Sequence, residues 1–158
     1  MKGDPQVSQK KDHTVHVEAL KKISEAITSD LYLEDILRLI VTVTAQSMNS
    51  KICSLMLVDQ AKKELIIKAT QSISERYNKK PNITIGKGIA GTVAQKGIPL
   101  QVEDVRVEKK YINQDIAKKE GLCSLLSVPL MVKGEVIGVL NCYTSEPHTF
   151  SETEISLI

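Results

Sequence analysis

Residues 125–132, LLSVPLMV, are followed after Lys133-Gly134 by Val136–Thr144, VIGVLNCYT, and this stretch decides the fold class. Both runs are strand-length, aliphatic and β-branched. A glycine between them tolerates the positive φ of a tight turn, so the pair predicts an antiparallel hairpin. Upstream, 52–58 (ICSLMLV) is almost continuously apolar and 64–69 (ELIIKA) alternates. The polar turn DQAKK joins them into a second hairpin.

Helices flank these strands. Val17, Leu20, Ile23 and Ile27 recur at threes and fours and predict an amphipathic helix ending near Thr28. A second starts at Ser29 or Asp30, with Glu34 and Asp35 suited to its first turns. Leu33, Ile36, Leu37, Ile40 and Val43 carry its apolar stripe to about Met48. Between the hairpins, the polar loop QSISERYNKKPN leads to a short helix over Ile89–Lys96 stopped by Gly97, then an extended PLQV. Residues 111–120 (YINQDIAKKE) predict a short polar helix. At the end, Ser151 and Glu154 of FSETEISLI form a capping box. It opens a helix that stops soon after it starts, and the expectation is a truncated helix continuing into another domain.

The 158 residues suit one domain, with 1–16 as a polar arm and 17–158 as the folded unit. At 42% hydrophobic and 25% charged, the chain has an ordinary globular composition. No apolar run approaches the roughly 18 residues that span a bilayer, and MKGDPQVSQKKDH is too polar for a signal peptide. The expectation is therefore a cytoplasmic protein with no membrane partner. Net charge is +2, although residues 61–120 carry 13 basic and 7 acidic side chains. With no Trp, one Phe and four scattered Tyr, the chain lacks the aromatic platforms that accompany nucleic-acid binding, and no nucleic-acid partner is expected.

Cys53 and Cys142 lie in apolar strands and read as small buried hydrophobes, while Cys123 is less defined. His13 and His16 could pair on one helical turn, but only Asp12 stands near as a further ligand, so no metal is expected. Gly86-Lys87-Gly88-Ile89-Ala90-Gly91 is a G-x-G-x-x-G opening a helix, with Glu103 and Asp104 downstream. Its context is wrong for a dinucleotide. The preceding NITI is too short and polar for a buried parallel strand, the unit is shorter than about 30 residues, and an antiparallel hairpin follows. The glycines then serve a tight strand-to-helix turn and close packing.

GKGIAGTVAQKGIPLQVEDV, then EGLCSLLSVPLMVKGEVIGVLNCY, then FSETE, in this order and spacing, resembles a GAF domain, the small-molecule sensor module of signalling proteins. The resemblance implies an α+β fold. It has an antiparallel sheet of five or six strands, terminal helices on one face, and loops and short helices of residues 70–120 closing a ligand pocket on the other. It leaves the ligand, and any cofactor, unknown. Cyclic-nucleotide members carry Asn-Lys after the last strand and a later Asp-Glu. This chain has Thr144-Ser145 and Thr153-Glu154 there. Bilin attachment uses a Cys commonly followed by His, but Cys123 precedes Ser124. Haem would need a pocket His, and the three histidines are His13, His16 and His148.

The function so implied is a non-catalytic regulatory sensor within a larger bacterial-type signalling protein, coupled to an output domain beyond the C-terminus. Two alternatives remain open. One is a GAF-type free-methionine-sulfoxide reductase, for which only Cys123, beside Lys118-Lys119, offers a suitable thiol. The other is a dimerisation module with a filled pocket, its core closed by Met56, Ile89, Val93 and Ile116. The expected ligand-binding residues are Ser54, Met56, Gly88, Ile89, Val93, Tyr111, Asn113, Asp115 and Ile116. They combine the first hairpin, the glycine turn with its helix, and a lid anchored by Ile112 and Ile116. The apolar stripes of the terminal helices, with Ile155 and Ile158, exceed what one sheet face needs and point to a homodimer.

Overall fold

Period-two alternation builds the sheet. In the computed structural model, which describes Lys21, Lys22, Glu25 and residues 29–158, the chain divides into units Met1–Ile36 and Leu37–Ile158. The helix expected over Val17–Thr28 lies outside the described residues except at Lys21, Lys22 and Glu25, as does the arm. Helix α1 runs Asp30–Ser47. Six antiparallel strands follow: β1 (Ile52–Asp59), β2 (Glu64–Thr70), β3 (Ile83–Thr84), β4 (Leu100–Val102), β5 (Leu125–Val132) and β6 (Glu135–Tyr143). Their order is β3-β2-β1-β6-β5-β4, so the expected α+β antiparallel sheet is present. Helices α2 (Glu75–Asn78), α3 (Gly88–Lys96), α4 (Gln114–Glu120) and α5 (Glu152–Ser156) fill the connections.

The two hairpins form where the pattern places them. Lys133 and Gly134, at φ 51° and 81°, make the two-residue turn between β5 and β6. The β1–β2 turn is held by Asp59, whose carboxylate accepts from the amides of Ala61 and Lys62. Two elements were not expected from sequence. The first is α2, capped by Ser74; the second is β3, a two-residue edge strand on β2.

Leu126, Val128, Leu140, Leu55, Cys53 and Cys142 point to one face of the sheet, where Val41, Ala45 and Met48 of α1 and Phe150 cover them. The opposite face carries Met56, Leu65 and Val139 toward one end, packed with Val93 of α3. Toward the other end it carries Ile52, Leu125 and Tyr143, packed with Tyr77 of α2 and Tyr111. The G-x-G-x-x-G serves packing, as its context implies. Gly86 and Gly88 have φ of 85° and 63°, and a Cβ on Gly91 would lie 2.5 Å from the Thr84 carbonyl oxygen.

Candidate functional site

Strand register assembles a polar row on the α3 face of the sheet. Asn141 in β6 stands opposite Ser54 in β1 and Ser127 in β5. Cross-strand partners share a face, so the three side chains lie side by side in the middle of the sheet. All three are buried, Asn141 being 1% exposed. Ser54 is satisfied by a 2.9 Å hydrogen bond with the Tyr77 hydroxyl. Ser127 Oγ and both amide atoms of Asn141 have no hydrogen-bond partner among the described residues. A buried polar atom left unpaired costs about 1–3 kcal/mol, so such a row at the centre of a sheet needs an explanation.

Three tyrosines surround the row. Tyr143 follows Asn141 by two residues and so lies on the same face. The rings of Tyr77 and Tyr111 meet it edge-on, at centroid separations of 6.0 and 6.2 Å. The Tyr111 hydroxyl donates to that of Tyr143 at 3.1 Å. Burial pushes all three phenols above their ordinary value, so they stay neutral hydroxyls at physiological pH.

Lys80 completes the surround. It is 7% exposed, and its Nζ stands 4.1 Å from the Tyr77 ring centroid and 5.8 Å from that of Tyr143. Desolvation pushes its ammonium down to about 7. The loop is tied down around it. Ser74 caps α2 and also donates to Glu120 of α4 at 2.7 Å, and Arg76 reaches the same carboxylate at 3.5 Å.

Tyr143 also lines a small, partly open cavity of about 10 Å³, together with Gly88, Ile89, Ala90, Tyr111, Ile112, Asn113, Leu125 and Ile83. This is room for about one water. The cavity's roof is the α3 N-terminus on one side and residues 111–113 on the other. Gly88, at φ 63°, takes the left-handed conformation that favours glycine, and a Cβ there would press on Ile112 Cδ1.

Of the residues expected from sequence, Gly88, Ile89, Tyr111 and Asn113 line this cavity. Ser54 lies in the polar row. Met56 and Val93 are buried together next to it, and Ile116 packs against the cluster holding Ile89 and Tyr111. Asp115 is exposed, in a shallow outer cleft with Lys109 and Gln114. Tyr77, Lys80, Ser127, Asn141 and Tyr143 were missed. Polar residues at one buried parity of three strands were a usable signal for Ser127 and Asn141, whereas Tyr77 and Lys80 sit in a polar run with no periodicity.

The cysteines lie elsewhere. Cys53 and Cys142 are cross-strand partners with sulfurs 3.8 Å apart, buried on the α1 face. Their shared hydrogen bond and burial hold the Cys53 thiol well up, while the same bond lowers that of Cys142. Cys123 borders an open cleft of about 680 Å³ with Glu103, Asp104, Lys109 and Lys110, and its sulfur accepts from Arg106 at 3.4 Å. Among the described residues there is no cluster of His, Cys, Asp and Glu that could hold a metal, and no helix long and apolar enough to cross a membrane.

The GAF domain family matches residues 31–158. A methyl sulfide methyltransferase-associated sensor of Methanosarcina acetivorans is 27% identical over 158 residues, covering 96% of this chain and 16% of that protein. The chain thus spans about a sixth of that relative. The solved GAF domain of a phosphoenolpyruvate-protein phosphotransferase from Coxiella burnetii superposes with TM-score 0.71 at 25% identity, covering 89% of this chain and 83% of that one. A free methionine-R-sulfoxide reductase from Neisseria meningitidis shares the fold with TM-score 0.65 at 23% identity, covering 98% and 83%.

Proposed function

This chain belongs to the GAF domain family, and on that premise we propose that it is a non-catalytic regulatory module that senses a small polar molecule on the α3 face of its sheet. The observation that carries the reading is the orphaned polar row, Ser127 and Asn141, buried on the sheet face whose Leu125 and Tyr143 line a small cavity. A ligand would supply the missing hydrogen bonds. Because the cavity holds about one water, binding requires residues 105–120 to move outward. That movement is felt by α2 through the Ser74 and Arg76 contacts to Glu120. The host would be a larger cytoplasmic signalling protein with an output domain, its helices relaying the shift. Along α1, Leu39, Ile40 and Val43 are 62%, 39% and 49% exposed, which supports a homodimer through this helix.

Against the reductase, the two neighbouring thiols lie on the α1 face, across the sheet from the cavity, and Cys123 has no thiol partner among the described residues. The ligand-free dimerisation module has one observation in its favour. Met56 and Val93 are fully buried, and the cavity is nearly filled. The decisive measurement is mass spectrometry of small molecules released from the purified chain, paired with thermal unfolding against a metabolite library. A bound or stabilising compound whose effect is lost in Asn141→Leu supports the sensor. Silence in both assays leaves the scaffold.

A further inference from the structure

We propose that the ligand is a small organic carboxylate carrying a second, neutral polar group, with its carboxylate at the Lys80 ammonium and the polar group at Asn141 and Ser127. This rests on the sensor reading and narrows it to a chemical class.

The first observation is a buried cation without a counter-ion. Lys80 Nζ makes neither a hydrogen bond nor an ion pair among the described residues, and the rings of Tyr77 and Tyr143 stand 4.1 and 5.8 Å from it. The acids of the surrounding elements are engaged elsewhere. Glu75 pairs with Lys79, Glu120 with Arg76 and Ser74, and Glu64 accepts from Asn82. An ammonium withdrawn from water is costly unless an anion meets it, and none of the described residues provides one. Ring faces alone offset part of that cost.

The second observation is what the cation faces. Tyr143 is common to the Lys80 contact and to the cavity, whose opposite wall is the start of α3 at Gly88–Ala90. The partial positive charge of the α3 N-terminus thus borders the cavity on which Tyr143 lies, and the ammonium lies near the same tyrosine, so each favours an anion in this region. The hydroxyl of Tyr111, bonded to that of Tyr143, stands within the same wall.

The third observation sets the rest of the ligand. Asn141 presents one donor group and one acceptor, both unpartnered, with the Ser127 hydroxyl beside them. That pairing complements a carboxamide, a hydroxyl or an oxo group, which takes and gives hydrogen bonds in one place. Asn141 and Tyr143 are two residues apart on one strand, about 7 Å between Cα atoms, and the ammonium stands 5.8 Å from the Tyr143 ring centroid, so the ligand needs a chain joining its two polar ends. Inorganic anions share the first contact but cannot reach the second.

The test is thermal unfolding of the 158-residue chain with matched pairs at about 10 mM, a concentration at which millimolar affinity already shifts the midpoint. The pairs are succinamate with succinamide and glutaramate with glutaramide, each differing only by a carboxylate in place of one carboxamide, and the remaining arms are inorganic phosphate and nitrate. Carboxylates are expected to raise the midpoint while their diamides do not. Lys80→Met should weaken carboxylate binding at least tenfold, with Lys80→Gln as a second variant should the first fold poorly. Asn141→Leu should also weaken binding tenfold or more. Equal stabilisation by diamides, or undiminished carboxylate binding in both Lys80 variants, overturns the carboxylate assignment and leaves the sensor reading standing. Stabilisation by phosphate or nitrate alone overturns the organic class. No response to any arm overturns the inference, and only if the metabolite library is silent as well does the sensor reading fall with it.

Discussion

The two faces of the sheet are made by the same four long strands and obey opposite rules. On the α1 face, Leu55, Leu126, Val128 and Leu140 are buried against Val41, Ala45 and Phe150, and the polar-capable groups present, the thiols of Cys53 and Cys142, bond each other. On the α3 face, one residue along each strand, Ser54, Ser127 and Asn141 interrupt the apolar pattern, and a lysine and three tyrosines gather around them. One face is arranged for stability. The other sacrifices stability at particular positions, which is where strained local choices in a fold tend to mark function.

The largest expected effect tests the first face. Leu126→Ala or Leu140→Ala should cost about 2–5 kcal/mol in urea unfolding, because a buried leucine in a closed apolar cluster leaves a cavity when truncated. A loss below about 1 kcal/mol would mean that the α1 face is no better packed than the other.

Lys80 should show the opposite sign. Lys80→Met removes a buried cation, and at pH 6 the variant should be more stable than the parent by a figure on the order of 3 kcal/mol. Below about pH 7 the lysine is protonated in the folded and the unfolded chain alike, and its burial cost is fully present. Between about 7 and the ordinary value of 10.5 the unfolded chain holds the proton and the folded chain does not, so stability of the parent rises with pH. The slope from this residue is up to about 1.4 kcal/mol per pH unit. The gap between variant and parent should therefore close as pH climbs toward 10. The phenols facing it, Tyr77 and Tyr143, are pushed upward and stay neutral through that range. A gap independent of pH would show that Lys80 keeps its ordinary proton affinity in the folded chain, as a side chain that reaches solvent does.

Asn141→Leu sharpens the contrast at a smaller scale. Replacing two orphaned polar atoms by an apolar group of similar shape should stabilise the chain by about 1–2 kcal/mol. The same exchange of polarity on the α1 face, Leu140→Asn, should destabilise it by at least as much. If both destabilise, the polar row is satisfied by something bound within it.

This contrast also explains what the sequence disclosed. Hairpins, α1, the glycine turn and the order of elements were legible because apolar residues recur with periods of two and near 3.6, and the wrong context of G-x-G-x-x-G was visible in the short, polar NITI. The α3 face was legible only in part. Gly88, Ile89, Tyr111 and Asn113 could be placed beside a cavity from turn chemistry and a lid anchored by isoleucines. Lys80 and Tyr77 could not, since a polar loop gives no sign of which residue it will bury. The pairing of Cys53 with Cys142 depends on strand register across 89 residues of chain, which periodicity does not report.

The smallest expected effect concerns how the α1 face is finished at its end. Ser151 caps α5, accepting from the Glu154 amide at 3.2 Å while the Glu154 carboxylate accepts from the Ser151 amide at 2.7 Å. Phe150, just before the cap, is buried in the α1-face cluster, and Ile155 of α5 packs against the same cluster. The cap thus sets the chain's direction, and the two apolar side chains attach it to the sheet. Ser151→Ala should cost about 1 kcal/mol, whereas Phe150→Ala should cost about 3 kcal/mol, both read by urea unfolding. That ratio follows if apolar burial governs this face and hydrogen bonding only steers it. Equal costs would mean that the helix end, like the polar row across the sheet, depends on its hydrogen bonds first.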